Sequence, residues 1–326
     1  MEELYRQLNT KFGLGNSKYL TEIWQILCTD EEAETANVLP GTADDISAKT
    51  GTDINDTNRT LLSLFKKGVA FKSTTNGKTK YKLAKNIVQF HDASLLWEGA
   101  TQEYYDLWKK VMDEDFTGFM KSLPDTVKLP SFMRVIPVHE SIEPQTTVLT
   151  YEQCAKIIEE SDSVAVVKCP CRLSQRNCNA PLEACIQVNR GAEYTLDRGH
   201  GRKITKQEAL EILKRSEEAG LVHMVENRSR GNVICNCCSC CCEMFRLMKS
   251  SGKKWILAPS RFLASISEEC TSCGACVEVC PVNAIAMNGI ASVKADDCMG
   301  CGLCATVCPV SAVTLGPVRP EGHIPV

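Results

Sequence analysis

CTSCGACVEVCPVNAI at residues 270–285 returns as CMGCGLCATVCPVSAV at residues 298–313. The repeat is 28 residues long, so Cys270, Cys273, Cys276 and Cys280 recur as Cys298, Cys301, Cys304 and Cys308. Pro281-Val282 recurs as Pro309-Val310, and Ala284-Ile285 as Ala312-Val313. Each half reads Cys-x2-Cys-x2-Cys-x3-Cys-Pro. Three cysteines in one tight loop can present three thiolates to three corners of a [4Fe–4S] cube, while the fourth leads away and ligates the other cluster. The spacing therefore predicts cluster A on Cys270, Cys273, Cys276 and Cys308, and cluster B on Cys298, Cys301, Cys304 and Cys280. Gly274, Gly300 and Gly302 let backbone amides approach the sulfur atoms.

This stretch resembles the bacterial two-cluster ferredoxins at all eight ligands and both prolines. The resemblance implies a compact ferredoxin fold over 259–326 and outer-sphere transfer of single electrons. No histidine, serine or carboxylate replaces a ligand, so no open iron position is visible. A pair of zinc sites is the competing reading, but zinc ribbons lack the third cysteine, the Cys-Pro and the doubled register.

Working outward, the chain has 326 residues, 44% of them apolar and 24% charged, with a net charge of −3. That composition suits a soluble multidomain protein and gives no global reason to expect nucleic-acid or membrane binding. The start, MEELYRQLNTKFGLG, lacks the features of a secretory signal, and no apolar run is long enough for a spanning helix. The chain thus reads as cytoplasmic, with no membrane insertion. Its twenty cysteines then point to metal rather than disulfides. Cys28 and Cys154 stand apart, each within an apolar helical pattern, and read as small buried hydrophobes.

Ten more cysteines fall in residues 150–258, expected to form an α/β unit. Cys169, Cys171, Cys178 and Cys185 make one set. Cys235, Cys237, Cys238, Cys240, Cys241 and Cys242 make another. Ten unligated thiols at this density would be prone to oxidation, which favours metal ligation. Four routes stay open: one [4Fe–4S] cluster on the first set, a second on the run, a mixture of both sets, or a larger non-cubane centre. The expected grouping puts Cys169, Cys171, Cys178 and Cys185 together, with one or two iron–sulfur clusters in this region. Capping boxes at Thr150-x-x-Gln153 and Thr205-x-x-Glu208 predict helices over 150–160 and 206–219, with a strand at 164–167. Arg172, Arg198 and Arg202 are candidates for balancing cluster charge or holding an anion, and His200 and His223 for structural or supporting roles. The block KCPCR, CNAPLEAC, RGHGR, GLVHMVEN and CNCCSCCC resembles one in ferredoxin-like proteins of anaerobic microbes, where it also precedes a two-cluster domain. That resemblance implies an iron–sulfur protein made without oxygen and supplies no reaction.

Residues 1–90 read as three helices followed by a hairpin closed at Asn76-Gly77, a pattern that resembles a winged helix. Arg59, Lys66, Lys67, Lys72, Lys78, Lys80, Lys82 and Lys85 make its second half basic. DNA contact follows only weakly from this, because the helix at 57–67 has few side chains suited to base edges; protein docking is the stronger expectation. Residues 91–149 are expected to be aromatic-rich helix and then a proline-rich connector, with self-association through 1–120 a further option.

The sequence as a whole predicts an α+β multidomain protein with a winged-helix-like N-terminal domain, a cysteine-rich centre and a C-terminal ferredoxin fold. Its expected role is to carry electrons to or from an oxidoreductase partner. A redox-sensing transcription regulator, and a reductase subunit with a substrate-binding central cluster, are the alternatives. No catalytic nucleophile, acid–base pair, flavin or nicotinamide motif stands out.

Overall fold

A computed structural model describes residues 1–144 and 146–325. The fold mixes helices with several sheets, and it divides into two units whose boundary cuts across the sequence. The first unit is 1–124 with two inserts, 170–176 and 196–200; the second is 125–169, 177–195 and 201–326.

Short polar caps start the helices of the first unit. Ser17 accepts the Leu20 N–H ahead of Lys18–Leu27, and capping boxes at Thr29/Glu32 and Thr42/Asp45 open Asp30–Val38 and Ala43–Thr50. Gly51, with φ of 72°, ends the latter. Helix Ile54–Lys66 follows, and then β1 (Ala70–Thr75) and β2 (Lys78–Leu83) pair in antiparallel register. Asn76 and Gly77 join them at φ of 51° and 73°, the backbone that a two-residue hairpin turn demands.

Residues 91–122, read from sequence as part of a connector, carry much of this unit's core. Trp24 and Phe90 stack with ring centres 4.7 Å apart, and Phe90 meets the edge of Trp108 at 5.1 Å. Contacts of this kind contribute about 0.5–1.5 kcal/mol each beyond simple burial. Tyr104 and Trp108 are fully buried. Arg198, from the second insert, lies over the Phe65 and Phe71 rings and donates to the carbonyls of Phe65 and Ala70 at 2.9 and 2.8 Å.

The second unit is built on a seven-stranded sheet of order β6-β4-β5-β8-β7-β3-β9. Its strands are β3 (Met133–Ile136), β4 (Val164–Lys168), β5 (Glu183–Val188), β6 (Arg202–Lys203), β7 (Val222–Glu226), β8 (Val233–Cys237) and β9 (Leu257–Ala258). All neighbours pair antiparallel except β3 and β9. The prolines at 130 and 137 do exclude helix here, yet Met133, Val135 and Ile136 are apolar enough to carry Met133–Ile136 into the sheet, with the buried Arg134 among them.

Helices Cys154–Glu159 and Lys206–Glu218 cover one face, where Ile158, Val164, Val166, Ile186, Ile212, Val225 and Ile234 form the core. The first helix is shorter than the predicted span 150–160. Thr150–Glu152 is a 3-10 turn, and the Leu149 N–H is held by Glu152 in place of the expected box. Strand periodicity then assigns the other face. Cys185, Cys235 and Cys237 alternate with Ile186, Ile234 and Asn236, so they point away from the helix-covered core.

The C-terminal part of this unit is pseudo-symmetric. β10 (Phe262–Ile266) pairs with β13 (Val313–Pro317), and β11 (Ile285–Asn288) with β12 (Ile290–Val293). Short helices Ala275–Val279 and Leu303–Thr306 sit at matching places in the two halves. Residues 138–143 strap this part to the sheet. Val138 N–H donates to the Cys301 carbonyl at 3.0 Å, and Glu143 N–H to that of Leu315 at 3.1 Å. Beside the strap, Arg261 and Glu152 form a buried ion pair with bonds of 2.6 and 2.9 Å.

Candidate metal centres

Two cavities lie in the C-terminal part. One is lined by Cys280, Cys298, Cys301 and Cys304; the other by Cys270, Cys273, Cys276 and Cys308. Each therefore takes three thiols from one half of the repeat and one from the other. The crossing follows from Asn283 and Ser311, whose left-handed φ of 56° and 53° turns the chain just after Cys280-Pro281 and Cys308-Pro309.

Amide hydrogens aim at the sulfur atoms in matched pairs. Ala284 N–H donates to Cys280 Sγ and Ala312 N–H to Cys308 Sγ, both at 3.2 Å. The amides of Ala291 and Ser272 draw the Cys270 thiol below its usual range. Burial pushes Cys301 up to about 12, against the Leu303 amide. Four soft donors around each cavity, with N–H groups facing the sulfurs, fit a thiolate-bound iron–sulfur group. The two sets differ at one position: Cys273 is exposed and its counterpart Cys301 is half-buried, while Cys276 and Cys304 are both buried.

The central cysteines sort differently from the expected grouping. Cys178 does not join Cys169 and Cys185; it meets Cys238, Cys240 and Cys241. The left-handed Arg176, φ 52°, swings the chain away from the helix Pro170–Gln175 and delivers Cys178 to the turn after β8. That turn is closed by Cys242 N–H donating to the Cys238 carbonyl at 3.2 Å. The four Sγ atoms all lie within 4.8 Å of one another, and among the described residues no other such group is this compact. Burial raises the Cys178 thiol, but the Ala180 amide and the three neighbouring thiols outweigh it and leave the group below its usual range. Cys240 is instead pushed up to about 11, first by burial and then by Cys238 and Cys178.

A second set runs along the thiol-bearing face of the sheet. Cys185 Sγ lies 3.8 Å from Cys235 Sγ and also meets Cys169; Cys237 meets Cys235 and Cys242. A register shift after Val167 brings Cys169, just past β4, towards Cys185. Thiol–thiol hydrogen bonds, then burial, hold Cys185 and Cys237 well above the usual range. Cys171 lies on the helix Pro170–Gln175, within an insert of the first unit.

The residues singled out beside the cysteines have local roles. His200 faces the Lys66 carbonyl, and Arg198 fills the aromatic site in the first unit. Arg202 bridges Glu183 and Glu208 at the surface, and Arg172 is buried. His223 bridges Asn236 at 2.6 Å and Glu217 at 2.9 Å on the helix-covered face of the sheet. Sequence reasoning missed Asn177 and Arg246. Asn177 N–H donates to Cys241 Sγ at 3.3 Å, its Nδ2 to the Cys240 carbonyl at 2.9 Å, and Arg246 reaches that carbonyl at 3.4 Å. The position of Asn177 directly before a cysteine was the one available signal.

Residues 268–312 match the family model of the 4Fe-4S dicluster domain. The C-terminal part is thus a ferredoxin-like iron–sulfur domain. No curated protein and no solved structure matched the chain. Among the described residues, no helix is long and apolar enough to cross a membrane.

Proposed function

We propose that the protein is an electron carrier with two [4Fe–4S] clusters in its C-terminal part, exchanging single electrons with an oxidoreductase partner. The observation that carries this reading is the pair of cavities, each lined by four thiols with one ligand crossed over. When bound, the clusters would supply one-electron redox chemistry at low potential. The chain's part is to hold eight thiolates and direct amides at them. Exposure of Cys273, where its counterpart Cys301 is half-buried, favours the cavity of Cys270, Cys273, Cys276 and Cys308 as the port for a partner.

The chain of Cys169, Cys185, Cys235, Cys237 and Cys242 is the candidate for a further iron–sulfur centre. Its thiols form a line rather than a compact tetrahedron, which suits a group with several irons. The helices Glu2–Thr10, Lys18–Leu27, Asp30–Val38, Ala43–Thr50 and Ile54–Lys66 ahead of the hairpin are two more than the sequence pattern predicted, and their helix-then-hairpin order supports a docking module of winged-helix type. Three of its eight basic residues are engaged in ion pairs, Arg59 with Asp56, Lys67 with Glu32 and Lys72 with Asp197, and we read the module as one that docks a protein partner.

Anaerobic purification with paired substitutions tests the reading. Cys270→Ala with Cys308→Ala is expected to remove the paramagnetic signal of one reduced cluster and spare the other. Cys270→Ala with Cys280→Ala is expected to disturb both. A chain purified without iron and sulfide, or the opposite pairing of effects, sinks it.

A further inference from the structure

The compact thiol group around Cys178 has dimensions of its own. Cys178 Sγ lies 3.6 Å from Cys238 Sγ and 3.7 Å from Cys241 Sγ, and Cys240 Sγ lies 3.9 Å from Cys241 Sγ. A single ion bound tetrahedrally at ~2.3 Å by four thiolates sets their separation at about 3.8 Å. A cubane does not, because each thiolate binds a different iron at a different corner of the cube, and the sulfurs are spread apart by the iron–iron separation as well.

We propose that Cys178, Cys238, Cys240 and Cys241 hold one tetrahedral divalent ion, zinc or ferrous iron, and not an iron–sulfur cluster. All four positions are filled by protein, which leaves none open for substrate and marks the site as structural. The ion ties the loop at 177–182 to the turn at 238–241, joining segments 60 residues apart. Cys237 and Cys242 directly flank that turn and face the neighbouring five-thiol set. The Asn177 amide on Cys241 Sγ and the Asn177 and Arg246 side chains on the Cys240 carbonyl orient the ligands from outside. Three of the four thiols are partly open to solvent, which gives the ion a way in. This inference is independent of the relay proposed above, which stands or falls on the C-terminal thiols.

Metal and sulfide analysis of the full chain, purified without oxygen, tests it. In cubanes iron and acid-labile sulfide are equal. The expected result is one extra ion per chain without a matching sulfide, either one zinc or one iron in excess. Zinc content separates the two sources. The double substitution Cys178→Ser, Cys240→Ser should remove that ion and leave the sulfide unchanged. Iron equal to sulfide with no zinc overturns the proposal. So does retention of the ion in the variant, or its loss of about four irons together with four sulfides. Should the variant fail to fold, the wild-type protein decides. X-ray absorption at the zinc edge, or a mononuclear iron subspectrum by Mössbauer spectroscopy, must report four sulfur neighbours and no neighbouring metal; absence of both signatures overturns the assignment.

Discussion

The His200 ring is half-buried with Nε2 2.6 Å from the Lys66 carbonyl. Burial, and then the neighbouring Arg198 guanidinium, lower its pKa from 6.5 to about 4. The unfolded chain therefore takes up a proton between these values that the folded chain resists. The stabilisation is complete above about 6.5 and is lost as pH falls towards about 4. We expect the first unit to lose thermal stability over that window, and His200→Asn to flatten the loss while leaving stability at pH 8 nearly unchanged. Tryptophan fluorescence reports it, since Trp24, Trp97 and Trp108 lie in this unit. An equally steep acid limb in the variant would assign the pH dependence to other groups.

Elements of the ferredoxin-like domain are symmetric in backbone and asymmetric in surroundings. Gly274 and Gly302 occupy equivalent places, with φ of 81° and 85°. A Cβ on Gly274 meets nothing within 4 Å, whereas one on Gly302 would lie 2.2 Å from Ser141 Oγ and 3.2 Å from the Val138 amide. Alanine strains the backbone at both sites, by about 1 kcal/mol or more, but at Gly302 it must also push back the strap. Gly302→Ala should therefore lower the thermal midpoint and speed iron loss several-fold more than Gly274→Ala. Equal effects would mean that the strap yields freely. The same asymmetry shows what sequence could convey. The repeat of eight thiols was legible because each half is a local motif that recurs 28 residues on, and the structure lines each cavity with three thiols of one half and one of the other. The central grouping was not, because Cys178 reaches Cys238 through one left-handed residue and a sheet register that no short spacing encodes. Strand β3 was hidden for a related reason: four residues between prolines, one of them Arg134, look like linker until the sheet supplies neighbours on both sides. The hairpin and the capped helices were legible, since their caps and turn residues act within a few positions.

At the scale of the whole molecule, the question is where electrons enter or leave. The cavity with the exposed Cys273 is accompanied in sequence by Glu268, Glu269 and Glu278, all exposed. Asp297, at the other repeat, is already held by Lys254 at 2.7 Å. Asp296 at the other repeat is exposed as well, so the acidic surface spans both halves, and the three glutamates beside the exposed thiol are what a partner with a basic face would meet there. Exposed charges of this kind act on association rate and are screened over a Debye length of about 10 Å at 0.1 M salt. Electron exchange with a basic acceptor should slow as salt rises from about 0.05 to 0.5 M, and Glu268→Gln with Glu269→Gln should slow it roughly 3–10-fold at the low end only. At high salt the variant and the wild-type protein should converge. Stopped-flow reduction of a basic haem protein measures this directly. A variant that keeps the full salt dependence would show that these carboxylates are only a solvated face, and would move the port to another part of the surface.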